Sequence, residues 1–539
     1  MAWLQNITSE TQPPPLLSEA QKFVEAGRLP AARGAARALI AQQPELTEAW
    51  LLLALVEQRL QRHEAMLEAA REALRLQPAN MAAALKLIQA LLYCGKGAEA
   101  RSRLWVLEQG AQSDAALLTA IADLYVEAGA HQERLRCAQR ALQLAPDDPA
   151  RLAGCAAAET ASGLLEEAEG HLNQLLERHP QDFGSYYRRS ILRRQTLERN
   201  HIEPMTRLLA KVPTDAAENV PLCYALAKEC EDLGRHEESF AYLQRGAARR
   251  RRGLSYQVSG DVAAMGAISG AFDAHRLARV GAVGAADDSP IFITGLPRSG
   301  TTLVDRILGS HSQVQSLGEI NDLSYALIAL AQREGDADSG PPNRLELIER
   351  SAQLDFAGLG QDYLRRVAGY RRERSRVIDK TPWNFLYLGL IALALPNARI
   401  IHLKRAPMDS CFALYKTLFR SGSPYSYDLN DLARYYVAYH RLMEHWRRVM
   451  PGRFMELDYE RLVQSQESAT RELLSWCGLP FEPQCLEFHR NTAPAATASA
   501  AQVREPIHAR SIGLWKRYAA QLAPLAAGLR EGGVAIDAG

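Results

Sequence analysis

The sequence predicts an α + α/β chain: an all-α repeat solenoid first, then an α/β domain on a parallel sheet. Three observations carry this. Prolines fall at 44, 78, 146 and 180, so the first and last intervals are 34 residues and the middle one is twice that. In the second half, short apolar runs at Ile291–Thr294, Arg376–Ile378, Ala398–Leu403 and Arg453–Leu457 alternate with helical patterns, as strands and crossover helices do. The first of those runs opens Pro290–Thr302, PIFITGLPRSGTT, where a buried strand, a glycine-bounded loop and a helix start follow one another.

The helical half comes first. The position missing from the proline series, 112, lies just before the break at Ser113-Asp114, and Pro213 falls one residue short of register. Counting each unit from three residues after its proline puts Trp50 at the fourth position and Tyr125 at the eleventh. Ala100 and Ala168 then fall at the twentieth, Ala73 and Ala141 at the twenty-seventh. Small and large residues at those places suit two antiparallel helices in close contact. Period and positions resemble tetratricopeptide repeats over about residues 15–250, with a poorer last unit carried by Leu222, Tyr224, Leu226, Gly234, Phe240 and Leu243. Stacked pairs of this kind leave a concave groove. The resemblance therefore implies either a peptide-binding or dimerising surface or a rigid support for the second half of the chain. The run Arg249–Arg252 reads as a solvated helix end. Residues 251–287, rich in Gly, Ala and Asp, read as a connector with some helix at Val262–Ile268 and His275–Val280.

Composition narrows the class. The chain has 539 residues, room for two to four domains, and 63 basic against 62 acidic residues. A net charge of +1 argues against a globally basic nucleic-acid binder. Eight cysteines (94, 137, 155, 223, 230, 411, 477, 485) form no CxxC, so reduced, packed thiols are expected rather than a disulfide or zinc framework. The start, MAWLQNITSETQPPP, lacks the basic and apolar regions of a signal peptide. The longest apolar run, about Phe385–Pro396, is shorter than the ~20 residues of a spanning helix. A soluble, cytoplasmic protein is expected.

Chemistry begins at PIFITGLPRSGTT. Gly295 and Gly300 have the spacing of a nucleotide P-loop, and the geometry aims backbone N–H groups and a helix N-terminus at an anion. Thr301 stands where an NTPase needs Lys, and the positive charge sits inside the loop, at Arg298. Loop amides, two hydroxyls and a forked guanidinium can hold a tetrahedral anion. The cradle is phosphate-like without being that of an ATPase.

On these residues, 288–539 resembles the sulfotransferases that use 3′-phosphoadenosine-5′-phosphosulfate (PAPS), nearest to the tyrosylprotein sulfotransferase type. The resemblance implies that Arg298, Ser299, Gly300, Thr301 and Thr302 hold the 5′-phosphate and sulfate. Arg405, in HLKRAPMDS, resembles the Arg that takes the nucleotide's 3′-phosphate; the family's Ser eight residues on is Ala413 here, and Ser410 is the nearest hydroxyl. Asp409 beside it reads equally as a helix N-cap. Glu319, in SLGEIND, resembles the catalytic base, since transfer to a hydroxyl needs its proton removed. Its rivals as base are His311 and His402. Lys380, in VIDKTPWN, is implied as the cation at the bridging oxygen of PAPS, and Tyr459, in LDYERLV, as a neighbour of the cofactor. Ser499 and Gln502-Val503 align with the family's last cofactor segment. The basic residue usual near Gly513-Leu514 is Leu here, leaving Arg510 or Lys516 to supply that charge. No metal is implied.

The reading that results is transfer of a sulfuryl group to an acceptor hydroxyl, with a peptide or protein tyrosine favoured over a carbohydrate or small molecule. A protein partner in the repeat groove is open. Loops Glu334–Asn343 and Arg420–Tyr427 are expected to choose the acceptor. Two alternatives stand beside it. A P-loop kinase or NTPase would use Asp379 as a magnesium ligand but lacks the lysine. A non-catalytic repeat scaffold with a nucleotide-binding α/β domain is favoured by Ala413 and Leu514 and opposed by Arg298, Glu319, Lys380 and Arg405.

Overall fold

A computed structural model describes residues 15–213, 215–278, 283–333, 343–371 and 376–536. The chain forms two compact units, one of residues up to Leu144 together with Asn321–Arg371, the other of Ala145–Ile320 together with Arg372 onward.

The 34-residue period is the period of the helices. First helices of successive pairs start at Thr47, Met81, Ala115, Pro149 and Phe183, and second helices at Leu29, His63, Gly97, His131 and Leu165. Alanines at the close-contact positions are buried: Ala73, Ala100 and Ala168 have no exposed surface, and Ala141 almost none. Asn80, Asp114, Asp148 and Asp182 each cap the following helix by accepting a backbone N–H. A turn proline or break and a capping side chain thus punctuate each unit.

In the first unit, four such pairs share their unit with the helices Asp322–Arg333, Arg344–Ser351 and Phe356–Ala368. Arg366 is buried and donates to the carbonyl of Tyr93 at 2.8 Å. His63 sits between the rings of Tyr93 and Tyr325, where burial lowers its pKa to about 4. Glu334–Pro342 of the expected acceptor loop lie outside the described residues.

The second unit holds the pair Pro149–Ser162 and Leu165–Arg178, then a departure from the repeat. Phe183–Ser190 stops after 8 residues, and its partner helix is replaced by irregular chain and Ile202–Leu209. Regular pairing resumes with Asn219–Asp232 and His236–Arg252, the poorer last unit. Cys155, Glu159 and His171 meet within the first of these pairs, but the thiol donates to one Glu159 oxygen and His171 meets the other at 2.8 Å. Burial, with Glu159 beside it, pushes the Cys155 thiol above its ordinary pKa, so the trio is a closed hydrogen-bonded set. The segment read as a connector contains the helices Val258–Ala271 and Ala274–Leu277; Val280 lies outside the described residues. It is docked: Phe272 meets Trp446 edge-on, and His445 Nε2 donates to its carbonyl at 2.9 Å.

The sheet of this unit has five parallel strands, β1 Pro290–Thr294, β2 Val314–Ser316, β3 Arg376–Asp379, β4 Arg399–Lys404 and β5 Met455–Asp458, in the order β2-β3-β1-β4-β5. Four correspond to the apolar runs of the sequence. The three-residue β2 was not expected. β1 is buried at every position, as a central parallel strand requires. The strand order turns around at β1: β2 and β3 are laid on one side of it, β4 and β5 on the other. That is the topological switch point where open α/β sheets bind ligands, outside the carboxyl ends of the strands. No helix among the described residues is long and apolar enough to cross a membrane.

Candidate active site

The loop after β1 is built by three residues with positive φ: Gly295 (+149°), Arg298 (+66°) and Gly300 (+108°). A Cβ on Gly295 would lie 2.5 Å from the carbonyl oxygen of Leu403, and one on Gly300 would lie 2.6 Å from Cδ2 of Tyr459. Both glycines therefore permit a close approach as well as a turn. Arg298 bears the left-handed conformation with a side chain, the kind of local strain kept where a site needs it. Thr301 starts the helix Thr301–Gly309, and Thr301 and Thr302 are buried at its N-terminus. Ser299 is buried, and its Oγ has no hydrogen-bond partner among the described residues. An orphaned hydroxyl at the loop is what a bound anion would satisfy.

Arg298 turns toward the C-terminal segment. Its guanidinium donates to Ser499 Oγ and, at 2.9 Å, to Gln502 Oε1, while Nε is buried without a partner among the described residues. Burial pushes its pKa below the ordinary arginine value, with Arg405 adding to the effect. Arg405, just after β4, donates to the carbonyls of Arg298 (3.0 Å) and Ser511 (2.9 Å) and lies 4.8 Å over the Tyr459 ring. The Tyr459 hydroxyl meets Ser511 Oγ at 3.0 Å. Arg298, Gly300, Thr302, Arg405, Tyr459 and Ser499 all line one cleft. The sheet edge thus gathers loop, strand ends and C-terminal segment, as the motifs predict.

Lys380 and Glu319 form the second cluster. Parallel pairing of β2 with β3 sets Ser316 against Ile378, and Lys380 N–H donates to Gly318 O at 2.9 Å, which brings residue 319 to residue 380. Lys380 Nζ then meets Glu319 Oε1 at 2.5 Å. The lysine is buried and the glutamate 41% exposed, so the cation is fixed and the carboxylate faces outward. Phe292 pairs with Asp379, and Pro382 O accepts from Gly295 N–H (3.1 Å) and Thr294 Oγ (2.6 Å). Lys380 therefore follows a strand laced directly to the base of the loop.

One carboxylate here was missed. Asp305 lies four residues after Thr301 on the same helix, with Oδ1 buried and unpartnered among the described residues. Burial holds its pKa above the ordinary value, against the pull of Lys380. The i, i+4 spacing from Thr301 was the available signal.

Other expectations resolve differently. His311 is buried, accepts Gln313 N–H at Nδ1 (3.1 Å) and donates from Nε2 to Pro480 O (3.0 Å). His402 is held between Glu456 (3.0 Å) and the Tyr439 hydroxyl (2.6 Å). Both rings are engaged in the fold. Asp379 accepts from Thr381 N–H and Asn384 Nδ2, each at 3.1 Å, so it braces a turn. Asp409 caps no helix of its own; it accepts from Gly513 N–H at 2.6 Å, with Trp515 N–H at 3.5 Å, and so fixes the C-terminal segment. Ser410 is buried in the helix Pro407–Tyr415 and does not line the cleft, whereas Ala413 and Leu514 do. Arg510 is paired with Glu505 at the surface, and Lys516 is exposed. The additional cation in the cleft wall is Lys416.

Fold and site define a nucleotide-type α/β domain adapted to an anion, joined to helical repeats. Residues 290–483 match the model of the sulfotransferase family, and residues 47–80 and 220–251 match that of the tetratricopeptide repeat. The matches thus set a segment similar to the sulfotransferase family behind segments similar to tetratricopeptide repeats. The chain is 39% identical over 246 residues to an uncharacterized protein of Aquifex aeolicus, covering 45% of this chain and 32% of that protein. It is 24% identical over 233 residues to a putative protein-tyrosine sulfotransferase of Caenorhabditis briggsae, covering 42% of this chain and 80% of that one. It is 31% identical over 152 residues to the omega-hydroxy-beta-dihydromenaquinone-9 sulfotransferase of Mycobacterium tuberculosis, covering 27% and 37%. The chain spans about a third of the length of the Aquifex and Mycobacterium relatives.

Proposed function

We propose that this chain transfers a sulfuryl group from PAPS to a hydroxyl, with a peptide tyrosine as the favoured acceptor. The observation that carries the proposal is the pairing of a buried Lys380 with an outward-facing Glu319 beside the PRSGTT loop. A transferase of this type needs one fixed cation and one accessible base at the point where a tetrahedral anion is held.

The residues fit the co-substrate. The unpartnered Ser299 hydroxyl, the loop amides and the Thr301 and Thr302 hydroxyls suit a phosphosulfate at the helix N-terminus. Arg298 closes over it from a position now bonded to Ser499 and Gln502. Arg405 takes the nucleotide end, its flat face stacked on Tyr459. Glu319 accepts the acceptor's proton as the new O–S bond forms and the bond from sulfur to the bridging phosphate oxygen breaks. Lys380 and Arg298 neutralise the charge that gathers on that oxygen. The products are a sulfate ester and the 3′,5′-bisphosphate. A tyrosine is favoured because several relatives are named for it and because helical repeats offer a surface for a peptide.

Incubation of the full chain with sulfur-labelled PAPS and an extract of its source is the test. Label in protein, recovered as tyrosine sulfate after hydrolysis, is the expected result. Label only in small molecules would replace the acceptor class. Absence of any acceptor-dependent label, with intact PAPS recovered, would overturn the activity.

A further inference from the structure

We propose that Lys416 supplies the second cation for the nucleotide's 3′-phosphate, and that Glu231 of the last repeat is its resting counter-ion. The inference rests on the reading of the cleft as a PAPS site.

Arg405 spends one donor of each terminal nitrogen on the carbonyls of Arg298 and Ser511, its Nε is buried without a partner among the described residues, and it brings a single positive charge. A phosphate dianion held by that group alone would be poorly neutralised. The hydroxyl and the base expected to help are absent: Ala413 and Leu514 occupy their places in the cleft wall. Arg510 and Lys516 lie outside it.

Lys416 lies inside it. It closes the helix Pro407–Tyr415, three residues after Ala413 on the same side. Its side chain runs back toward the helix start, with Nζ 5.5 Å from the centre of the Phe412 ring. Phe412, Ala413 and Lys416 all line the cleft. Glu231 Oε1 meets Nζ at 2.5 Å, and Glu231 Oε2 accepts from the Tyr518 hydroxyl at 3.2 Å. Tyr518 is in turn bonded to His236 at 3.1 Å. The carboxylate is therefore fixed by a network and aims the lysine. An ammonium has three donors, and the carboxylate uses one. The remaining donors suit a phosphate oxygen, while the negative Glu231 beside it weakens the hold. Through Glu231, in the helix Asn219–Asp232, the last repeat backs the lysine of the nucleotide site.

Binding of adenosine 3′,5′-bisphosphate and of 5′-AMP to the full chain tests this by calorimetry. The wild type is expected to prefer the bisphosphate. Lys416→Met should cut bisphosphate affinity roughly 10–100-fold, the loss of a charge-assisted bond, and leave AMP within about 3-fold. Lys416→Arg should restore most of the preference, which a merely structural ion pair would not affect. Glu231→Gln keeps a side chain of the same size without the opposing charge, and should bind the bisphosphate roughly 2–5-fold tighter. If Lys416→Met weakens both nucleotides equally, or neither, with its melting temperature unchanged, the assignment of Lys416 is overturned. If Glu231→Gln abolishes the preference, Glu231 is not a counter-ion. If the wild type shows no preference for the bisphosphate, the reading of the cleft as a PAPS site fails first, a result distinct from loss of the Lys416 effect alone.

Discussion

At the scale of single residues, the two carboxylates near Lys380 answer to different pressures. Glu319 is exposed enough to meet an acceptor and is held by one strong bond to the buried ammonium. Glu319→Gln keeps size and hydrogen bonding but cannot take a proton. It should lower kcat by roughly 10²–10⁴-fold with nucleotide affinity nearly unchanged, measured by steady-state turnover and bisphosphate binding. A variant with normal kcat would remove Glu319 from the mechanism. Asp305 is the opposite case. Burial raises its pKa, so a charged Asp305 opposes folding. The sign follows from that direction: its favourable contribution is complete below the ordinary aspartate value of 3.8 and is lost as pH rises through the higher folded value. Asp305→Asn should therefore stabilise the protein at pH 7, and the gain should shrink as pH falls toward ~4. Urea midpoints at both pH values decide it; a loss of stability at pH 7 would mean that the pairing with Lys380 outweighs burial.

At the scale of elements, β4 and β5 carry a network behind the site. His402 on β4 and Arg447 both bond to Glu456 on β5. Burial raises the Glu456 pKa, but these bonds outweigh it and bring the carboxyl from 4.5 down to about 2. His402, whose own pKa burial lowers, acts as a neutral ring donating from Nδ1, so Arg447 supplies the charge. A depressed folded value gives stability that is present above pH 4.5 and lost as pH falls toward 2. Glu456→Gln should cost roughly 2–3 kcal/mol at pH 7 and almost nothing near pH 2, read from denaturant titrations. The same strands show what a sequence makes legible. β1, β3 and β4 were visible because apolar runs mark strands buried on both faces, β5 because its apolar residues alternate, and the loop because its glycines and arginine lie within six residues. β2 was not, since only Val314 of its three residues is buried. Asp305 was within reach of helical spacing. The pair of Lys416 and Glu231 was not, because 185 residues separate them and no local pattern records a contact made by the fold alone.

At the scale of the whole molecule, the second compact unit joins the last repeats to the sheet. The join is aromatic and largely buried. Tyr224 donates to the carbonyl of Tyr415 at 3.2 Å, Phe240 stacks on Tyr415 at 5.9 Å, and Phe240 also meets Tyr518 at 6.0 Å. Tyr187, on the truncated helix Phe183–Ser190, accepts from Leu418 N–H at 3.1 Å, at the entrance to the Arg420–Tyr427 loop. Tyr427 in turn faces Tyr224, and its hydroxyl accepts from Phe419 N–H and donates to Phe419 O. The departure from the repeat pattern at Phe183 therefore falls where the array meets that loop. A fragment starting at residue 288, where the sequence changes character, would uncover Tyr415 and Tyr518 and lose the partner of Leu418. It should be poorly soluble or molten, with no cooperative unfolding transition, although it keeps every strand of the sheet. Within the full chain, Phe240→Ala should cost about 3–5 kcal/mol in denaturant unfolding. Tyr187→Phe, which removes one half-buried hydrogen bond, should cost about 1 kcal/mol and raise the acceptor KM more than the nucleotide KM. A soluble, cooperatively folding fragment from residue 288, together with a silent Tyr187→Phe, would mean that the repeats hang from the α/β domain. The opposite pair of results would make the last repeats part of its core and of its acceptor specificity.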